Sequence, residues 1–168
     1  MKWNRLSIKE FGNVAELWDR VAADSAADAP FLLSHFIAPL LRHFARGDEQ
    51  IVAGFERGEP QVAAIVQRVR TGGWQTFQPS QLPLGAIVSK RGLDAFDVYD
   101  GLLSALPGLR LSLGITQLDP LLGARPPEDA RLHTIDYIET AWVNISGRLL
   151  VPAYSGTVGN ISNSFGSP

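Results

Sequence analysis

The chain has 168 residues, which is enough to bury the core of a single domain without disulfide bonds. Hydrophobic residues make up 45% and charged residues 19%, so a wholly disordered or fibrous chain is excluded. The 15 Lys and Arg residues against 17 Asp and Glu residues give a net charge of -2, and nucleic acid is not an expected partner. Cysteine is absent, which removes disulfides, thiolate metal sites and cysteine nucleophiles.

The first part of the chain predicts a strand followed by two helices. Residues 2–8 carry the apolar weight of a strand, and Asn13 and Glu16 have the spacing of a capping box that would begin the first helix. Ser34 is expected to cap the second helix, and Gly47 to end it. Apolar residues recur at helical spacing in both segments: Val14, Leu17, Trp18 and Val21 in the first, and Phe36, Ile37, Leu40, Leu41 and Phe44 in the second.

An antiparallel meander of three strands follows. Residues 50–55 and 61–70 flank a predicted hairpin turn, in which Gly58 can adopt a positive φ. The second of these strands does not alternate cleanly near its start, which predicts burial on both faces. A tight turn leads to a third strand, residues 74–78, and residues 79–92 are predicted to form a loop or an irregular strand.

A third helix and two further strands complete the pattern. Residues 92–106 predict a helix, with Asp94 and Asp97 in the first turn, where the helix dipole favours them. Residues 109–115 alternate strictly between leucine or isoleucine and other residues, and residues 131–145 predict a last long strand. The helix is expected to bury Phe96, Tyr99, Leu103 and Leu106. The sequence therefore predicts an α+β fold, a mixed and mostly antiparallel sheet flanked by helices in the order β-α-α-β-β-β-α-β-β.

The two ends of the chain indicate the cellular location of the protein and the extent of its ordered part. The N-terminal segment lacks the apolar core of a secretory signal, and no uncharged apolar stretch approaches the roughly 18 residues of a spanning helix. We therefore expect a cytoplasmic protein with no membrane partner. Residues 148–168 are expected to form a loose tail, because residues 154–168 consist mostly of Ser, Gly, Asn, Thr and Pro. A natural tail and a shifted reading frame would both give this composition.

Three stretches, in this order along the chain, resemble a known family. They are residues 30–34 (PFLLS), 74–86 (WQTFQPSQLPLGA) and 135–143 (IDYIETAWV). With the βααβββαβ order, they resemble the GNAT acyltransferase fold and, within it, the N-terminal half of the cellulose-biosynthesis acetyltransferase family (CelD/BcsL-like). The resemblance implies that residues 1–147 are a GNAT-like half of an acyl-CoA-dependent N-acyltransferase, linked to polysaccharide metabolism, with acetyl-CoA or another acyl-CoA as cofactor.

Members of that family carry two GNAT-like halves in tandem, whereas here the polar tail follows Gly147. The resemblance therefore implies a separate second half as partner, or self-association through an exposed region, residues 131–151. A working GNAT domain binds the CoA pyrophosphate on a loop of the pattern Arg/Gln-x-x-Gly-x-Gly/Ala. The nearest segment, residues 81–86, is one residue too long and contains Pro83, which has no N–H. The second hypothesis is therefore a non-catalytic scaffold or substrate-binding half-domain, inactive alone and not binding acyl-CoA by itself.

The candidate site residues follow from local chemistry, and no catalytic residue is assigned. Ser80 stands in a polar segment beside aromatic residues, which is typical of a pocket wall but equally of a turn that bonds its own backbone. Glu139 could act as a general base or be an edge-strand charge. The three histidines lack metal-binding spacing, so no metal site is expected. The candidates for a substrate or cofactor pocket are Trp74, Gln78, Ser80, Gln81, Gly85 and Glu139.

Overall fold

The computed structural model describes residues 1–25, 29–70, 72–118, 128 and 131–135. These residues form a mixed α+β fold, as predicted, and the fold contains six strands and three helices. The strands are β1 (Lys2–Ser7), β2 (Gln50–Glu56), β3 (Glu59–Arg70), β4 (Gly73–Thr76), β5 (Ile87–Ser89) and β6 (Ser112–Gly114). The helices are α1 (Phe11–Ala23), α2 (Ser34–Phe44) and α3 (Ala95–Ala105). Within the described ranges, no helix combines the length and apolar character needed to cross a membrane.

The strands form one sheet in the order β1-β2-β3-β4-β6, with β5 also paired to β3. All neighbouring strands run antiparallel except β4 and β6, which are parallel. The long strand β3 has two partners on the edge opposite β2, since its first half pairs with β5 and its second half with β4. The predicted meander is therefore confirmed, and β5 lies in the segment predicted as a loop or irregular strand.

The β2–β3 hairpin shows why the centre of the sheet was predictable. Its turn residues, Arg57 and Gly58, have φ values of 51° and 87°, and a two-residue turn with two positive φ values matches the twist of the strands. The prediction of a positive φ at Gly58 is confirmed. Behind the turn, all five residues from Val62 to Val66 are buried, so β3 is covered on both faces, as its continuous apolar run predicted.

The predicted start of α1 is wrong. The helix begins at Phe11, and the capping box lies earlier, between Ser7 and Glu10, where the Ser7 backbone N–H donates to Glu10 Oε2 at 2.8 Å. That box caps a short 3-10 turn, which runs directly into α1. Asn13 is therefore an exposed residue inside the helix. The capping box lies before the apolar repeat that begins at Val14, so that repeat did not mark the start of the helical segment.

The predicted cap of α2 is also wrong, because Ser34 is its first helical residue and Leu33 occupies the cap position. The Ser34 backbone N–H and hydroxyl both donate to the Asp19 carboxylate, at 2.7 and 2.6 Å. A carboxylate from α1 thus satisfies a free N–H at the start of α2. Local sequence pattern could not indicate this acceptor, because Asp19 lies fifteen residues earlier in the chain.

The helices α1 and α2 cover one face of the sheet and form the larger core. Trp18 lies at its centre, fully buried, with its indole Nε1–H donating to the Leu32 carbonyl at 2.6 Å. The Phe11 ring meets it edge-on, with centroids 5.8 Å apart. Further members of this core include Val14, Val21, Ile37, Leu40, Leu41, Ile51, Ala63, Ile65, Phe77 and Leu82.

The helix α3 covers the opposite face with a smaller core. This core consists of Val52, Ala64, Val66, Trp74, Leu102 and Leu106. The predicted buried side of α3 is wrong in part, because Val98 and Leu102 are buried while Phe96, Tyr99 and Leu103 are only partly buried. The cause is a close contact, since a Cβ at Gly101 would lie 2.7 Å from the Trp3 ring. The face of α3 that carries Gly101 therefore packs against β1.

The predicted strand over residues 109–115 is shorter than expected. Only Ser112–Gly114 pair with β4, while Leu109 and Leu111 are 57% and 70% exposed. The apolar alternation of residues 109–115 was not enough to pair all of them with β4. Residues 109–111 lie before the paired segment, at the turn between β3 and β4. In the predicted strand 131–145, the described residues 131–135 are not in a strand. The rest of it, the boundary after Gly147 and the tail lie outside the described residues.

Candidate functional site

The parallel pair of β4 and β6 brings two segments together where both strands end. Ligands in sheet proteins often bind outside the carboxyl ends of parallel strands, so this edge is the natural place to look for a site. Thr76, the last residue of β4, is fully buried, and its Oγ1 accepts a hydrogen bond from the Thr116 N–H at 3.0 Å. The two threonine hydroxyls are 2.7 Å apart. A closed polar junction therefore forms beyond the paired strands.

Gln78 extends this junction to the loop that joins β4 to β5. Its Nε2 donates to the carbonyls of Leu82 and Pro83, both at 3.2 Å, and to the Gln117 side-chain oxygen. One side chain thus holds the loop closed and ties it to the segment after β6. The half-buried amide nitrogen has two hydrogens for these three acceptors, so one hydrogen is shared and neither is left for a ligand.

Gly85 lies at the centre of the junction. Its N–H donates to the Thr116 carbonyl at 2.9 Å, and a Cβ at this position would overlap Thr76 Oγ1. The φ of Gly85 is not positive, so the space and not the backbone conformation demands glycine. This close approach packs the loop against the two threonines.

Two further backbone donors of the loop are also used internally. The Leu82 N–H donates to the Pro79 carbonyl and the Ala86 N–H to the Phe77 carbonyl, both at 2.9 Å. Pro83 has no N–H to offer. Ser80 and Gln81 are exposed at the outer turn of the loop. Between Pro79 and Pro83, only the N–H groups of Ser80 and Gln81 have no acceptor among the described residues, so the loop offers at most two successive free donors.

The N-terminus of α3, the other place where a phosphate could bind, is acidic. Asp94 is its N-cap and accepts from the Asp97 N–H at 3.0 Å, and Asp97 stands in the first turn. Two cations precede the helix, but both are engaged elsewhere. Lys90 Nζ lies 3.0 Å from Asp24 Oδ2, and Arg91 Nε donates to the Ser25 carbonyl at 3.0 Å. The positive end of this helix dipole is thus already neutralised by carboxylates.

The sequence-predicted residues fall into separate places. Gln78 and Gly85 meet at the threonine junction, with Ser80 and Gln81 at the outer turn of the same loop. Trp74 is 2% exposed and belongs to the core beneath α3, where the Arg68 guanidinium lies 5.0 Å from its ring centroid. Glu139 lies outside the described residues.

Sequence reasoning missed Thr76, Thr116 and Gln117, which complete the junction. The two threonines are forty residues apart, so no local spacing links them. Thr76 lies between Gln75 and Phe77 in a segment that contains other polar residues, so the local sequence did not distinguish it. In the described part of the chain, no three His, Asp or Glu side chains are grouped closely enough to hold a metal ion.

The junction is closed because its polar atoms satisfy one another. Across the described residues, no buried side-chain nitrogen or oxygen lacks a hydrogen-bond partner. Such a junction is suited to holding strands and loop together. In comparisons with known proteins, no family model, no curated protein and no solved structure matches the chain.

Proposed function

We propose that residues 1–147 are the non-catalytic, GNAT-like half of an acyl-CoA-dependent N-acyltransferase. In this proposal the half-domain is a scaffold or substrate-binding unit, is inactive alone, and acts with a second GNAT-like half that holds acyl-CoA. The observation that carries the proposal is the internal bonding of the Leu82, Gly85 and Ala86 N–H groups in the loop between β4 and β5. The order of elements, with the short β5 added before α3, supports the GNAT-like assignment.

The loop geometry favours the non-catalytic role over the catalytic one. A pyrophosphate is bound by several consecutive N–H groups that point outward, usually next to a glycine that allows close approach. Here the glycine of the loop, Gly85, is turned inward against Thr76, and its N–H is bonded to Thr116. To offer the Gly85 N–H to a pyrophosphate, the loop would have to break its bond to Thr116.

The charge at α3 supports the same conclusion. Asp94, Asp97 and Asp100 are all exposed along the first turns of this helix. A pyrophosphate approaching this end would meet these carboxylates, and like charges at close range repel. An acyl-CoA site at this position would therefore be opposed by electrostatics as well as by loop geometry.

Thermal denaturation with acetyl-CoA tests the proposal. We expect the melting temperature of the chain to stay unchanged at about 1 mM acetyl-CoA, and no acyl transfer to amine acceptors by the chain alone. A specific ligand at about 100 times its Kd would add roughly 2.7 kcal/mol of stability by mass action, and therefore raise the melting temperature by several degrees. A rise of that size, together with acyl transfer to an amine acceptor, would assign the chain to the catalytic role instead.

A further inference from the structure

A cleft of about 340 Å³ lies at the opposite end of β4 from the threonine junction. Its walls are Arg68, Val69, Arg70, Gly72 and Leu109, and we refer to it as the arginine cleft. Clefts that bind small molecules begin at about 300 Å³, so its size suits a small ligand or one end of a larger one. It lies outside the junction on which the proposed function rests.

A β-bulge shapes the arginine cleft. The register between β3 and β4 shifts between Arg68 and Arg70, which makes Val69 the extra residue of the longer strand. In a regular strand, neighbouring side chains point to opposite faces, whereas a bulge redirects them. Three consecutive residues can therefore line the same cleft, two of them with guanidinium groups.

The two guanidiniums differ in how they are held. The Arg68 group lies over the Trp74 ring and donates through Nη2 to the Pro107 carbonyl at 3.4 Å, which fixes its position and leaves other N–H groups free. The Arg70 side chain is exposed and, within the described residues, has no hydrogen-bond or ion-pair partner. The cleft therefore contains one guanidinium that is held in place, on Arg68, and one whose N–H groups are all available, on Arg70.

The charge around the cleft is not balanced by nearby carboxylates. Arg46 adds a third cation, because its Nη2 donates to the Arg68 carbonyl at 2.8 Å. Its own partner, Asp48, is exposed and 3.8 Å away, where an ion pair contributes little. Glu49 is buried and accepts the backbone N–H groups of Arg46 and Gly47, both at 2.8 Å. This corner is therefore locally positive in a chain whose net charge is -2.

Apolar side chains surround the same opening. Val69, Leu109 and Leu111 are 48%, 57% and 70% exposed. The two leucines lie against Gly72, where a Cβ would come within 2.8 Å of Leu111 and 3.2 Å of Leu109. Single exposed apolar residues are ordinary, but three of them beside a cationic cleft form a surface that is partly apolar and partly positively charged.

We propose that the arginine cleft binds a small organic anion that carries an apolar tail. The guanidiniums of Arg68 and Arg70 bind the oxygens of a phosphate or carboxylate head, since the planar donor fork of arginine matches both groups. The tail lies on Val69 and Leu109 and removes their exposed surface from water. This inference goes beyond the proposed function and does not depend on it.

Isothermal titration calorimetry with paired probes tests the ligand chemistry. We expect n-butyl phosphate or butyrate to bind the full chain at least about fivefold more tightly than inorganic phosphate, because the tail adds apolar burial. The tighter of the two organic anions identifies the preferred head group, and n-butanol, which lacks a charge, should not bind. Absence of binding by both anions at about 10 mM overturns the proposal. Binding to phosphatidylglycerol vesicles without binding to either soluble anion also overturns it and indicates a membrane surface.

Matched variants test the site. Arg70→Gln should weaken binding at least about tenfold, because it removes a charge-assisted contact. Since the Arg70 side chain bonds to no described residue, the variant should keep the circular dichroism spectrum and melting temperature. Arg57→Gln, the same change in the exposed β2–β3 turn, is the control and should bind as the unmodified chain does. Leu109→Ser should weaken the binding of n-butyl phosphate and leave the binding of inorganic phosphate unchanged. Equal losses in the two arginine variants would overturn the proposal.

Discussion

The two faces of the sheet are built differently. On the first face, α1 and α2 pack on the sheet and also on each other, and the larger core reaches from α1 to the loop after β4. On the second face, α3 is the one helix among the described residues that covers the smaller core, and the sheet beyond it ends in exposed leucines and the arginine cleft. The comparison indicates that the first face supplies stability, while the second leaves surface available for ligands.

The contacts that join the helices explain this difference. On the first face, Asp19 of α1 accepts hydrogen bonds from the first residue of α2, and Trp18 of α1 donates to the Leu32 carbonyl just before that helix. These polar contacts join the two helices. On the second face, Trp3 packs against Gly101 of α3, and Arg68 donates at 3.4 Å to the Pro107 carbonyl that follows the helix. The first arrangement combines burial with short hydrogen bonds, whereas the second has a long, exposed hydrogen bond and depends more on shape.

Replacing one tryptophan on each face compares the two cores directly and should have the largest effect. Trp18→Ala should lower the free energy of unfolding by about 4–5 kcal/mol, because it leaves a cavity and an unpaired Leu32 carbonyl. Trp74→Ala should cost less, about 3 kcal/mol, since its ring lies at the margin beneath the exposed Arg68. Urea denaturation followed by circular dichroism measures both. A greater loss for Trp74→Ala would reverse the assignment of the main core.

A pair of helical glycines should sharpen the comparison with effects of opposite sign. A Cβ at Gly101 of α3 would lie 2.7 Å from the Trp3 ring, so Gly101→Ala should destabilise the chain by about 1–3 kcal/mol. A Cβ at Gly12 of α1 would meet no atom within 4 Å, so Gly12→Ala should stabilise it by about 0.5–1 kcal/mol through helix propensity. Urea denaturation again supplies the values. Stabilisation by both changes would show that α3 does not depend on its close approach to Trp3.

The sequence predicted those features that depend on neighbours along the chain. The β2–β3 turn followed from Gly58, and the burial of β3 followed from its continuous apolar run. Both signals lie within a few residues of the structure they determine. The α+β class and the antiparallel meander could be predicted for the same reason, because short turns leave consecutive strands few other arrangements.

Features that depend on distant residues could not be predicted in this way. The cap of α2 is the carboxylate of Asp19 in another helix, and the buried side of α3 is determined by Trp3 near the start of the chain. The junction of Thr76 with Thr116 joins residues forty positions apart. The candidate site was therefore only partly predictable: Gln78 and Gly85 could be selected from the loop, but not the threonines that hold them.

The smallest expected effect concerns the pH dependence of the α3 face. Burial raises the pKa of the Tyr99 phenol above its ordinary value of 10.0. Below that value the phenol is neutral in the folded and unfolded chain alike, so its titration leaves stability unchanged. Above it, the unfolded chain loses the proton first, and stability falls as the pH rises toward the folded pKa. Tyr99→Phe should remove this part of the alkaline loss while leaving the value at pH 7 nearly unchanged. Free energies of unfolding measured between about pH 7 and pH 11 test this, and parallel curves for the two chains would mean that Tyr99 ionises as easily in the folded state as in water.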